Sequence, residues 1–330
     1  MEQQLNETKN LLQRPDFENI RNNSAYEVSI RNLQKSLSKK INPQHSTKGW
    51  IKMIDLLSKE NVWKVVSAKP VRALFNAELP GGFIFAANHL FQTHNIDFDW
   101  VAASYSPQYS SSALEDIYGL FAANPTRILT GPIQTNKGEF WNDGDLTQSK
   151  MPSIIAQLAV NRLGGKMTLI TADGGLDVKG RENEQEVLSI PLILGEVKTA
   201  LLCLDLGGVF ILKLFTFFTP LMETLIIWLG RHFQEFELYK PHASSPANSE
   251  IYFIGIGFKG ATAYPIGNAS TELIQMTPEE KAWIEKFRAN LVEKQIESIN
   301  NLLKKQTTPI STEVYDKLLF LPKNKWLTTE

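Results

Sequence analysis

Apolar and polar positions alternate at two different periods along this chain, and the switch between them outlines its elements. In residues 1–45, Ile20, Ile30, Leu33 and Leu37 recur near helical spacing among polar neighbours. "STKGWIKMIDLLSKENVWKVV" continues the helical period, with Ser46 or Thr47 placed to cap it. "RALFNAELPGGFIFAANHL" then predicts a strand, a glycine turn and a helix, and "FDWVAASYS" a second strand. Residues 105–149 are rich in Pro, Gly, Ser and Asn, with weak periodicity, and predict a long functional loop.

Beyond that loop, "SIIAQLAVNRLGG" predicts a helix with a glycine stop and "MTLITADGG" a buried strand. "EQEVLSIPLILGEVKTALLCL" reads as a helix in spite of Pro191, "GGVFILKLF" as a strand and "TPLMETLIIWLGRHF" as a helix. "FELYKP" and "NSEIYFIGIGF" are the closing strands, rich in β-branched and aromatic residues. Thr277-Pro278-Glu279-Glu280 offers an N-cap, a proline at the first helical position and an acid at the third. Trp283, Phe287 and Leu291 would line one face of the helix that follows. Strands alternating with helices predict an α/β fold with a doubly wound, mostly parallel sheet.

Composition narrows the class further. With 330 residues, 43% hydrophobic and 21% charged, the chain suits one large α/β domain with additional helices. Its one cysteine, Cys203, lies in an apolar run, which excludes a disulfide framework and a cysteine-built zinc site. His89 and His94 have no partner cluster, so no metal is expected. The start is polar, without the apolar region of a secretory signal, and Asp205, Lys213 and Glu223 interrupt the most apolar stretch, 200–230. The expectation is an intracellular protein, cytoplasmic or nuclear, that does not span a membrane. Residues 31–72 carry ten Lys and Arg against two acids, net +8, whereas residues 76–149 have a net charge of −6. That polarity suits a polyanion on one side and a cationic group on the other.

The candidate chemistry sits at element ends. In "ELPGGF", Gly81 and Gly82 would let the backbone approach a ligand at a helix N-terminus, and Glu78 would take a hydroxyl or amino group of a small cofactor. The turn is not GxGxxG, so a dinucleotide cradle is poorly supported. Asp99 in "DFDW" lies near the next strand, where such folds place an acid that reads a ribose. Lys52 is on the helix before the first strand, Asp173 ends a strand and Glu250 opens one. Lys213, embedded in "VFILKLF", is costly unless it is paired or at a sheet edge.

"LITADGG", "GGVFILKLFT" and "NSEIYFIG", with "ELPGGF" and Lys52 upstream, resemble the Lys-Asp-Lys-Glu pattern of FtsJ-like RNA 2′-O-methyltransferases. "PGGFIFAANH", "DWVAASYSP", "NDGDLT", "TADGGLDVKG" with "EQE", and "KPHASSPANSEIY" are similar to the cap-specific, Adrift-type branch acting on the second transcribed nucleotide, and to its viral relatives. The resemblance implies a Rossmann-like S-adenosylmethionine-dependent methyltransferase domain over residues 48–275, with helical extensions at 1–47 and 276–330. It implies S-adenosylmethionine as cofactor, capped mRNA as substrate, and other capping enzymes as further partners. Transferred residue by residue, Lys52, Asp173, Lys213 and Glu250 would form the catalytic tetrad, with Lys213 the general base. Glu78, Gly81, Gly82, Phe83, Asp99, Trp100, Asp145 and Asp173 would lie around the cofactor.

Such a base has to release its own proton first. A lysine does so near neutral pH only if burial and a like-charged neighbour such as Lys52 outweigh Asp173 and Glu250, which push the other way. The first transcribed nucleotide, a non-cap RNA and a non-catalytic RNA-binding role in a capping complex are the alternatives. Tyr105, Tyr109, Tyr118 and Trp141 are candidates to stack a cap or base, against the simpler reading of loop packing.

Overall fold

The computed structural model describes residues 1–68, 70–106, 113–135, 138–261, 274–310 and 315. Five helices precede the first strand: α1 (Glu2–Asn10), α2 (Phe17–Asn22), α3 (Ala25–Lys40), α4 (Lys48–Leu57) and α5 (Glu60–Val66). Then come β1 (Val71–Asn76), α6 (Gly82–Thr93), β2 (Phe98–Ala103), α7 (Leu120–Ala123), β3 (Gly131–Thr135) and β4 (Gly138–Asn142). The rest is α8 (Met151–Leu163), β5 (Met167–Ala172), α9 (Gln185–Cys203), β6 (Leu204–Leu214), α10 (Pro220–Gly230), β7 (Phe233–Tyr239), β8 (Ile251–Phe258) and α11 (Pro278–Leu303).

Six strands form the central sheet in the order β2-β1-β5-β6-β8-β7. The first four are parallel, and β8 runs antiparallel between β6 and β7. The sheet is doubly wound, as its pattern predicts. Ala73 and Phe75 of β1 face a core shared with α3, α4 and α6, whereas Leu74 faces one shared with α8, α9 and α10. A strand buried on both faces has to be apolar at nearly every position, which is why β5 and β8 read as continuous apolar runs. The first two strand connections lead to opposite sides of β1, so the order of strands across the sheet reverses between β1 and β5. Loops part at such a point and leave a crevice at the C-terminal strand ends.

Helix α3 belongs to the same core: its Ile30, Leu33 and Leu37 pack with Trp50 and Ile54 of α4 and with the sheet. Thr47 caps α4 by accepting the Trp50 N–H, and Thr277 with Glu280 forms a complete capping box on α11. On α11 the buried stripe runs through Ile284, Leu291, Ile299 and Leu302; Trp283 lies at its edge, against Phe236.

The long loop expected over 105–149 is in part regular. It contains α7 and a β3–β4 hairpin, in which Ile133 faces Phe140. Pro132 and the flanking glycines conceal this hairpin in the sequence, because both residue types weaken a strand reading. Tyr109 lies outside the described residues. Among the described residues no helix is long and apolar enough to cross a membrane, and no group of three metal-ligating side chains occurs.

Candidate active site

A cavity of about 700 Å³ opens at the C-terminal edge of the sheet, where the strand order reverses. Its wall combines the turns after β1, β2 and β5 with the N-terminal half of α4 and the segment Gly144–Thr147. Lys52, Glu78, Gly82, Phe83, Asp145, Asp173 and Lys213 line it.

Four elements, α4, β5, β6 and β8, bring the four ionisable residues together. Asp173 follows the last residue of β5, anchored where its N–H donates to the Asn76 carbonyl of β1 (3.3 Å). Lys213 is next to last in β6, an inner strand between β5 and β8, so it is not an edge lysine. Its Nζ donates to the Asp173 carbonyl (2.6 Å) and lies 3.2 Å from Asp173 Oδ1. The Tyr252 hydroxyl donates to the same Oδ1 (2.7 Å). Because β8 is antiparallel, Tyr252 stands opposite Lys213, and Glu250 falls just before the strand on the same rim. Glu250 Oε1 is 2.6 Å from Lys52 Nζ and also accepts from the Ser244 hydroxyl.

These contacts set the charge states. Burial pulls the Lys213 ammonium down, but the carboxylates of Asp173, Glu250 and Glu196 outweigh it and leave its pKa above the ordinary value. The condition for a ready base is therefore not met by the protein alone: Lys52 is paired with Glu250, and the carboxylates prevail at Lys213. Burial pushes the Glu250 carboxyl up, yet Lys52 and Lys213 prevail and hold it below its usual value.

The turn after β1 is built around Glu78. Its Oε1 accepts the N–H groups of Phe83 (2.9 Å) and Ile84 (3.1 Å) in the first turn of α6, where an acid also complements the helix dipole. Its Oε2 is buried, with no hydrogen-bond partner among the described residues. Burial drives this carboxyl well above its ordinary pKa. An unsatisfied buried oxygen is costly, and a polar group of a ligand in the cavity would relieve that cost. Gly82 also has a packing role, since a Cβ there would lie 2.8 Å from Thr47 Oγ1 of the helix opposite. Asp145 closes a small turn, accepting from the Thr147 N–H (3.0 Å) and hydroxyl (2.7 Å).

Three of the residues expected around the cofactor are not on the cavity wall. Asp99 and Trp100 lie at the start of β2, away from the cavity; at about 3.3 Å per residue they are about 13 Å and about 10 Å along the strand from Ala103, which lines it. Asp99 pairs with Arg127, and Trp100 is a core residue. At the cavity end of β2 stand Ser104 and Tyr105, and the Ser104 hydroxyl accepts the Leu79 N–H (2.8 Å). Gly81 is off the wall: its φ of +105° forms the turn, and a Cβ would meet Leu120 at 2.5 Å. Of the aromatic candidates, Tyr118 lines the cavity but stacks on His45 at 4.1 Å, which favours packing, and Trp141 is exposed on β4.

Sequence reasoning also missed Glu196 of α9, whose Oε1 accepts the Gly174 N–H (3.0 Å) directly behind the Asp173 turn. A single acid inside "PLILGEVKTALL" was the available signal, because an apolar helix keeps a buried carboxylate only where it has a partner.

The sheet is doubly wound, and a ligand-sized cavity rimmed by lysines and carboxylates opens at its reversal point. The chain belongs to the FtsJ-like methyltransferase family, whose sequence profile matches residues 46–258. It is 38% identical over 228 residues to an African swine fever virus protein named probable methyltransferase, covering 68% of this chain and 52% of that protein. It is 29% identical over 293 residues to an uncharacterised protein of Acanthamoeba polyphaga mimivirus, covering 86% of this chain and 35% of that one. It is 28% identical over 268 residues to the cap-specific mRNA (nucleoside-2′-O-)-methyltransferase 2 of Mus musculus, covering 78% and 33%. The chain thus spans about half the length of the first of these relatives and about a third of the others.

Proposed function

We propose that this chain transfers the methyl group of S-adenosylmethionine to a ribose 2′-hydroxyl near the 5′ cap of mRNA, at the second transcribed nucleotide. The observation that carries the reading is the meeting of Lys52, Asp173, Lys213 and Glu250 at one rim of the cavity. The cap and the nucleotide position rest on the mouse relative's name and on the quoted motifs.

The cavity's residues fit the cofactor. Glu78 has a buried acceptor oxygen free for a hydroxyl or amino donor, Asp145 and Ser104 add polar groups, and Leu146 and Leu192 supply apolar wall. Bound there, the cofactor would supply an electrophilic methyl on a cationic sulfur. A positive charge beside Lys213 opposes the three carboxylates that hold its proton, which moves the amine toward the neutral form. Once neutral, Lys213 Nζ would accept the proton that the 2′-hydroxyl loses as it takes up the methyl group. Asp173 fixes the amine through its carbonyl and carboxylate, and Glu250 holds Lys52 at the same rim. Most of the acceleration in such an in-line displacement comes from placement of the hydroxyl.

The test is transfer of labelled methyl to three RNAs: uncapped, capped without ribose methylation, and capped with the first ribose already methylated. Labelling of the third, lost in Lys213→Met, is the expected result. Labelling of the second alone would move the target to the first nucleotide. Absence of transfer to all three, with cofactor bound, would replace catalysis by an RNA-binding role.

A further inference from the structure

We infer that Glu196 is a positioning residue that shapes the Asp173–Gly175 turn and acts as the adjustable counter-charge of Lys213. This rests on the reading of Lys213 as the base. Glu196 is completely buried on α9, behind the turn rather than in the cavity wall. Its Oε1 accepts the Gly174 N–H at 3.0 Å, and its Oε2 has no hydrogen-bond partner among the described residues. The two glycines are the contact layer between it and the base. A Cβ on Gly174 would lie 2.4 Å from Glu196 Oε1, and one on Gly175 would lie 3.3 Å from Lys213 Nζ. The helix has no room to withdraw, since Gly195 is pressed so closely on Leu146 that a Cβ there would lie 2.0 Å from its carbonyl oxygen.

A buried carboxyl with one orphaned oxygen favours its neutral form. Burial pushes Glu196 up to about 8, against the pull of Lys213 and the Gly174 N–H, with Asp173 adding to the rise. The charged and titratable groups facing this pair are Asp173 at the end of β5, Glu78 in the turn after β1, Glu250 beside β8, and Lys52 of α4 on the far side of Glu250; Tyr252 donates to Asp173. Of the carboxylates around Lys213, Asp173 and Glu250 each have a lysine within 3.2 Å. Glu196 is instead held toward its neutral form by burial. Protonated, it withdraws one negative charge from the lysine; ionised, it locks the ammonium.

The experiment is titration of the full chain by NMR with ¹³Cε-labelled lysine, the Lys213 signal being assigned by its loss in Lys213→Met. No RNA is present, so the result is independent of whether transfer occurs. The wild-type lysine releases its proton at a pH where Glu196 is ionised. Glu196→Gln keeps an acceptor for the Gly174 N–H and removes the charge, so the Lys213 midpoint is expected to fall by about 1 unit. Glu196→Ala is expected to shift it similarly while lowering kcat further than Gln does, through the loosened turn. An unmoved midpoint in Glu196→Gln would overturn the inference, as would a Gln variant as impaired as Ala with an unchanged pH profile.

Discussion

Lys52 Nζ stands 2.6 Å from Glu250 Oε1, joining a helix that precedes the whole sheet to the residue that opens its last strand. Both side chains are mostly buried, at 14% and 11% exposure, so the pair is not a surface ornament. Removing one partner of such a pair leaves the other charge desolvated and uncompensated. The same contact places two of the four ionisable side chains, so stability and chemistry share a bond here.

Glu250→Gln is expected to lower stability by about 3 kcal/mol near neutral pH. Its pKa is lowered in the fold, so the pair's contribution is complete above the ordinary value of 4.5 and is lost as pH falls through the folded value. Urea unfolding at neutral pH and well below 4.5 should therefore show the gap between variant and wild type closing in acid. A gap of equal size at both would separate this pair from stability.

The double glycine after Asp173 separates two steric cases. Gly174→Ala drives a Cβ against a carboxylate that is buried and already bonded, so we expect a loss of about 2 kcal/mol with reduced transfer. Gly175→Ala meets the tip of Lys213, which yields more readily. Stability there should stay near wild type while transfer falls about tenfold or more, because the base is displaced. Thermal unfolding beside single-turnover rates distinguishes them; a destabilised Gly175→Ala with full activity would contradict the arrangement.

The order of strands and helices was legible because the buried strands are apolar runs and several helices carry a side-chain cap, as α4 and α11 do with Thr47 and Thr277. Asp173, Lys213 and Glu250 stood out as charges at the ends of apolar runs. What sequence could not supply was which end of a strand faces the crevice. Asp99 looks equivalent to an acid at the cavity rim until the parallel register places it beside Arg72, at the far end. Asp55 was equally hidden. It accepts from the Tyr239 hydroxyl (2.9 Å) and the His242 N–H (2.9 Å) across the fold, a pairing with no local signature.

Lys213 is expected to be irreplaceable by another cation. Lys213→Met should reduce kcat by about 10²–10⁴. Lys213→Arg keeps the positive charge beside Asp173 but holds its proton at every accessible pH, so it should be nearly as inactive while unfolding at close to the wild-type midpoint. Substantial activity in the Arg variant would mean that charge, and not proton transfer, is what this position contributes.

The basic stretch supplies the last prediction. Lys35, Lys39 and Lys40 are exposed on α3, whose opposite face packs Leu33 and Leu37 into the core, so they can change without touching the fold. Each phosphate neutralised by a lysine releases condensed counterion, and for single strands the slope of log K against log salt is about −0.7 per contact. If this face holds the RNA, replacing all three by Gln should weaken binding most at low salt and flatten the slope by about 2. Transfer at saturating RNA should be unchanged, because none of the three lines the cavity. Fluorescence anisotropy of a short capped RNA at several salt concentrations reads the slope directly. An unaltered slope would assign these lysines to solvation alone and move the RNA path to another face.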